Sequence, residues 1–201
     1  MRRRTALAAL AGVGTLPIAG CTRTPEAEGS SVADAFDGSP TRPECDVDSE
    51  TIEVEVGGET REFETAATVP YPDPPDAFGG DAVREYVVAF EEAYVTHDAV
   101  CDRNGSTRVL SVSFSRERTE TFDRDGDAWL VFCRYAGGAS SGVDDGGLWE
   151  ADLGYSQVIY AVDGTGAARV DFNEPRNPSR GAILDDAPDP VADGELVAGF
   201  E

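Results

Sequence analysis

The amino-acid sequence predicts an α+β domain in which one amphipathic helix packs on a curved antiparallel sheet. Three observations carry this. A single stretch, Asp81 to about Val100, repeats its apolar residues at helical spacing, with Val83, Tyr86, Val87, Phe90 and Tyr94 on one stripe. Period-two alternation marks strands on both sides of Gly57-Gly58 and again at Leu110, Val112 and Phe114. The runs Ala128–Tyr135 and Tyr155–Val162 are apolar on both faces, as strands in the middle of a sheet are.

Taken in order, the elements begin after a long polar lead. Residues 21–44 are rich in Pro, Gly, Ser and acid with little apolar periodicity, which predicts a flexible tether. From Thr51, Ile52, Val54 and Val56 alternate with Glu53 and Glu55, and Phe63 follows Gly57-Gly58, predicting a β-hairpin. Val69–Gly80 holds four prolines and cannot sustain a ladder, so it is a crossing loop. Arg84, Glu85, Glu91, Glu92 and Asp98 are assigned to the solvent side of the helix. Strands then follow over Arg108–Arg116, Ala128–Tyr135, Tyr155–Val162 and Ala167–Phe172. A hairpin turn at residues 123–127 separates the first two, and a Gly-rich loop, Ala136–Gly154, the second and third. The domain is placed at 45–173, and residues 174–201 read as an acidic Pro/Gly-rich tail.

Residues 1–20 describe an export signal. Arg2, Arg3 and Arg4 precede an apolar run that ends in Ile18-Ala19-Gly20, immediately before Cys21. That run is too short and too rich in Gly and Ala for a hydrocarbon core of roughly 30 Å, which wants about 20 apolar residues. The chain carries 39 acidic residues against 16 basic ones, all arginine, for a net charge of −23. Removal of residues 1–20, with three arginines and no acid, makes it −26. Such a charge opposes a compact state by self-repulsion unless salt screens it. Nothing in it would neutralise a row of phosphates, so nucleic acid is not an expected partner.

Of the four cysteines, Cys133 lies in an apolar strand pattern and is expected to pack as a small hydrophobe. Cys45, Cys101 and Cys133 allow three single bridges. Cys45–Cys101 is favoured because both lie in polar boundary segments of a chain expected in an oxidising compartment. Zinc or redox Cys spacings are absent, and no metal or cofactor is predicted.

Each candidate chemical motif has a simpler reading. Gly138-Ala139-Ser140-Ser141-Gly142 matches G-x-S-x-G, but no helical pattern and no later His follow it, and the one histidine, His97, lies earlier on the helix. Asp123, Asp125 and Asp127 resemble a calcium loop with its Gly misplaced, and Asp144, Asp145, Glu150 and Asp152 form a second acidic cluster. Solvated turns account for both in a chain this acidic. His97, near a helix C-terminus that would favour its cation, reads as structural. Trp149 and Tyr155 flank the 136–154 loop and read as anchors of that loop before they read as a sugar platform. Asn104-Gly105-Ser106 is an N-glycosylation sequon in a turn.

Arg3-Arg4 with the Ile18-Ala19-Gly20-Cys21 lipobox, the lysine-free acidic composition and the segment Glu85–Tyr94 together resemble haloarchaeal twin-arginine-exported lipoproteins of uncharacterised function. The resemblance implies export of an already folded protein, a lipid on Cys21, and a place on the extracytoplasmic face of the cell membrane. The order of elements is reminiscent of cystatin-like or NTF2-like folds, which carries no function with it. The expectation is a non-enzymatic module that binds an unidentified ligand or protein partner. The alternative is a secreted hydrolase or calcium-dependent carbohydrate-binding protein that uses loop 136–154.

Overall fold

The structure, a computed structural model, describes residues 31–101, 107–124, 127–145 and 147–200. Arg3, Arg4 and Cys21 of the expected export signal and lipobox lie outside these residues, as do Asn104, Asp125 and Gly126.

The fold is α+β, with one main helix packed on an open antiparallel sheet. The hairpin of β1 (Thr51–Val56) and β2 (Glu59–Glu64) stands as its own two-stranded sheet. Gly57 and Gly58 both take positive φ, 63° and 86°, which is the backbone a two-residue I′ turn demands. The helix α1 (Gly80–Cys101) follows the proline-rich crossing loop. The main sheet comprises β3 (Arg108–Arg124), β4 (Ala128–Asp144), β5 (Gly147–Glu150), β6 (Tyr155–Asp163), β7 (Gly166–Asp171) and β8 (Glu195–Gly199). Its order is β3-β4-β6-β7-β8, with β5 paired to the far end of β4. Between β7 and β8 lie the short helices α2 (Arg180–Asp186) and α3 (Pro190–Asp193).

Three expectations are corrected. First, the predicted loop 136–154 is largely strand: β4 runs on to Asp144 and turns back through β5. The glycines there serve close packing, since a Cβ on Gly142 would sit 2.3 Å from the Trp149 ring and 2.5 Å from the Arg108 carbonyl oxygen. Second, residues 174–200 are part of the domain. Leu196, Val197 and Ala198 are buried in β8, and Ile183 of α2 is 3% exposed. Third, the described part of the expected tether, 31–44, is docked. Val32 is buried, its N–H donates to Asp163 Oδ2 at 2.6 Å, and the Thr41 N–H donates to the Leu196 carbonyl at 2.7 Å. A few isolated apolar anchors in polar sequence hold residues 31–44 and 174–200, which is why periodicity did not reveal them.

Alternation along the strands divides the core between two faces. On one face Val83, Val87 and Phe90 of α1 meet Val131, Cys133, Tyr135, Tyr160, Val162 and Val197. The other face is covered stepwise along the strands. Val32 packs with Ala128, Ala161, Ala168 and Leu196 at one end, and Ile183 covers Phe122, Phe132, Ile159 and Phe172 in the middle. At the far end the same face carries Arg134 of β4 and Gln157 of β6, and apolar cover gives way to a polar pocket. Among the described residues, no helix is long and apolar enough to cross a membrane.

Candidate functional site

Arg134 and Gln157 sit directly opposite each other on the β4–β6 ladder. They face a pocket of about 460 Å³ whose other walls are Gly154, Tyr155, Asn173, Glu174 and Arg176. Gln157 is 2% exposed, and its amide orientation is set by its donors: Nε2 donates to the Phe172 carbonyl at 3.0 Å and to the Pro175 carbonyl at 3.2 Å. A flipped amide would point its oxygen at two carbonyl oxygens, so Oε1 is fixed as an acceptor. Oε1 is buried and has no partner. Arg134 Nε is likewise buried without a partner. Among the described residues the guanidinium pairs with Glu117, through Nη1 at 3.8 Å, and with the ring of Tyr155, whose centroid lies 4.2 Å from Cζ. A buried donor and a buried acceptor left open side by side cost free energy, on the order of 1–3 kcal/mol each. Buried groups of this kind call for a partner, whether an ordered water, an ion or a ligand, as do the Thr119 and Thr121 hydroxyls. Arg176, on the rim, has no ion pair among the described residues, so two arginines face this pocket in a strongly acidic protein.

Cys45 and Cys101 are joined by a disulfide that ties the segment before β1 to the last turn of α1. His97, one turn earlier, lies beside it: the Cys45 N–H donates to Nδ1 at 3.4 Å, and Cys101 Sγ is 3.8 Å from Nδ1. Nε2 lies 2.9 Å from the Val69 carbonyl oxygen, which can only accept. The two contacts give each ring nitrogen a role, Nδ1 as acceptor and Nε2–H as donor. Tyr71 stacks on the imidazole at 4.7 Å between centroids, and Arg42 lies 4.1 Å over Tyr71. The three potential ligand atoms of Cys45, His97 and Cys101 lie within 4.8 Å of one another, a grouping the sequence spacing concealed. With the sulfurs bonded to each other, they offer no thiolate to a metal.

The remaining motif residues are dispersed. Ser140 lies inside a strand, not on an elbow; its Oγ accepts from Ser113 Oγ at 3.0 Å and donates to the Ser111 carbonyl at 3.2 Å. The one histidine, His97, is engaged by Cys45 and Val69 instead. Asp144 accepts from Thr107 Oγ1 at 3.2 Å, and among the described residues the acidic clusters do not converge on a cation position. Trp149 lies across Gly142, whereas Tyr155 is 56% exposed at the mouth of the pocket. Cys133 is fully buried with a free thiol, and burial, followed by the nearby Glu91 charge, pushes its pKa up to about 12.

Glu91, which helical periodicity places on the solvent side, is completely buried. Its carboxylate accepts from Arg169 Nη2 at 2.9 Å and Nε at 3.0 Å, and from the Tyr160 hydroxyl at 2.5 Å. Burial works against the Arg169 charge, but Glu91 outweighs it and holds the guanidinium protonated beyond its ordinary range. Tyr94 caps the pair, its ring centroid 4.3 Å from Arg169 Cζ. Every polar edge of this pair is engaged, so it reads as a structural strut between α1 and β7. No protein-family model, curated protein or solved structure matches this chain.

Proposed function

We propose that the chain is a non-catalytic binding module of a salt-adapted cell, anchored by lipid on Cys21 at the extracytoplasmic face of the membrane. Its ligand seat is the pocket between β4, β6 and residues 173–176. The observation that carries this reading is the pair of open, buried hydrogen-bonding groups, Gln157 Oε1 and Arg134 Nε, on adjacent strands. The Arg3-Arg4 pair and the Cys21 lipobox support the anchoring and export part. Against catalysis stand the strand setting of Ser140 and the commitment of His97 to the disulfide segment.

Two measurements test the reading. Thermal unfolding of the purified chain in molar KCl, run against a panel of sugars, amino acids and organic acids, is expected to find at least one compound that raises Tm. That rise should disappear in Arg134→Gln; a panel with no stabilising compound removes the binding reading. In cells, Cys21→Ser is expected to move the protein out of the membrane fraction, and unchanged fractionation removes the lipid anchor.

A further inference from the structure

We infer that the pocket takes a small hydroxylated carboxylate of the sugar-acid class, with the carboxylate on the side-on edge of Arg134 and an adjacent hydroxyl donated to Gln157 Oε1. The inference rests on the binding reading above and names its ligand chemistry.

Arg134 Nε is buried without a partner, and the ion contact to Glu117 uses Nη1, so the edge formed by Nε and Nη2 has no hydrogen-bond partner among the described residues. That edge is a two-donor fork matched to a carboxylate. Directly across the ladder, Gln157 Oε1 can only accept, since both Nε2 protons are spent on Phe172 and Pro175. Side chains at opposed ladder positions lie about 4.5–5.5 Å apart at Cβ, so one small molecule spans both. The ligand must therefore carry an anionic two-oxygen group and, beside it, an O–H donor. A neutral sugar would leave the Arg134 fork unpaired, and a carboxylate without a hydroxyl would leave Gln157 unpaired. Arg176 at the rim adds to the preference for an anion over a neutral compound.

Access is through Tyr155. Its ring lies against the face of the Arg134 guanidinium, 4.2 Å from Cζ to the centroid, yet the residue is 56% exposed. A cation–π contact at an exposed site is worth about 0.5–1 kcal/mol. Exposed rotamers exchange within nanoseconds. The ring is thus an inexpensive cover, and once displaced it offers an apolar face to the C–H groups of a sugar ring. The pocket volume, about 460 Å³, falls within the roughly 300–1,000 Å³ of small-molecule sites.

Isothermal titration calorimetry of the purified chain in molar KCl with glucuronate, glucose and acetate decides the matter. The expected result is glucuronate binding at least tenfold tighter than either control. Arg134→Lys, which keeps the charge and loses the fork, should weaken it at least tenfold with Tm unchanged. Glucuronate affinity unaltered in Arg134→Lys overturns the assigned seat. If glucuronate binds no better than the controls while another panel compound binds and is lost in Arg134→Gln, the ligand class is wrong and the binding reading stands. If nothing in the panel binds, both fall.

Discussion

Glu91 has no exposed surface, and its partner Arg169 keeps only 9% of its side chain exposed, so this pair is screened little by salt. The exposed Asp81–Arg84 pair on the same helix is 3.1 Å apart and belongs to the class worth about 0–1 kcal/mol. Breaking one side of a buried pair strands the other charge. Glu91→Gln is therefore expected to cost about 3–5 kcal/mol even in molar KCl, measured by denaturant unfolding. The double variant Glu91→Met/Arg169→Met should cost less than the single one. A single-variant loss below about 1 kcal/mol would show that Arg169 finds another partner or water. Helical periodicity misassigned this residue because it recorded only the strongest apolar stripe. Glu91 falls four residues after Val87, at the edge of that stripe, and the sheet buries a wider arc that includes Ala93 and Val95. An acid at the stripe's edge was the available signal; that an arginine from β7 would meet it was not readable locally.

At the scale of elements, α2, α3 and the segment between them are clamped to β3 by charge. Glu120 accepts from Arg118 and from Arg180, and the Asp189 carboxylate accepts from Nη1 and Nη2 of Arg124, at 2.9 and 2.8 Å. Partial burial alone would raise the Glu120 and Asp189 pKa values, but the arginine hydrogen bonds outweigh it and both are lowered. A carboxyl lowered by folding stabilises the folded chain above its unfolded pKa, about 4, and loses that contribution as pH falls through the folded value. In molar KCl the denaturant midpoint is expected to drop between pH 5 and pH 3. The drop should be smaller in Glu120→Gln/Asp189→Asn, which is already weakened at pH 6. Equal acid sensitivity in the two proteins would count against the clamp. The disulfide plays the corresponding part at the other end of the domain. Cys45→Ser/Cys101→Ser opens a loop whose ends are 56 residues apart and is expected to cost about 2–5 kcal/mol in the same unfolding measurement, and no loss would show that the link is dispensable.

For the whole molecule, the net charge of −23 sets the conditions under which all these contacts operate. The Debye length is about 3 Å at 1 M salt and about 30 Å at 0.01 M, so dialysis to about 10 mM exposes nearly every acidic pair to mutual repulsion. Circular dichroism is expected to show loss of structure on that dialysis and its return when salt is restored. Retained structure at 10 mM would refute the salt-adapted reading. The hairpin at Gly57-Gly58, the stripe of α1 and the four principal strands were legible in the sequence, because each is written in a period of 2 or 3.6 within a few neighbouring residues. The Gly/Ser run beyond Tyr135 misled, because glycines under Trp149 look locally like a loop. By itself the sequence determined the α+β class, the charge and the strand cores, all of which follow from composition and local periodicity. Only the tertiary structure decided which residues meet: Glu91 with Arg169, His97 with the Cys45–Cys101 link, and Arg134 opposite Gln157. Those meetings depend on strand register and on the crossing of segments far apart in the chain, and no local pattern encodes them.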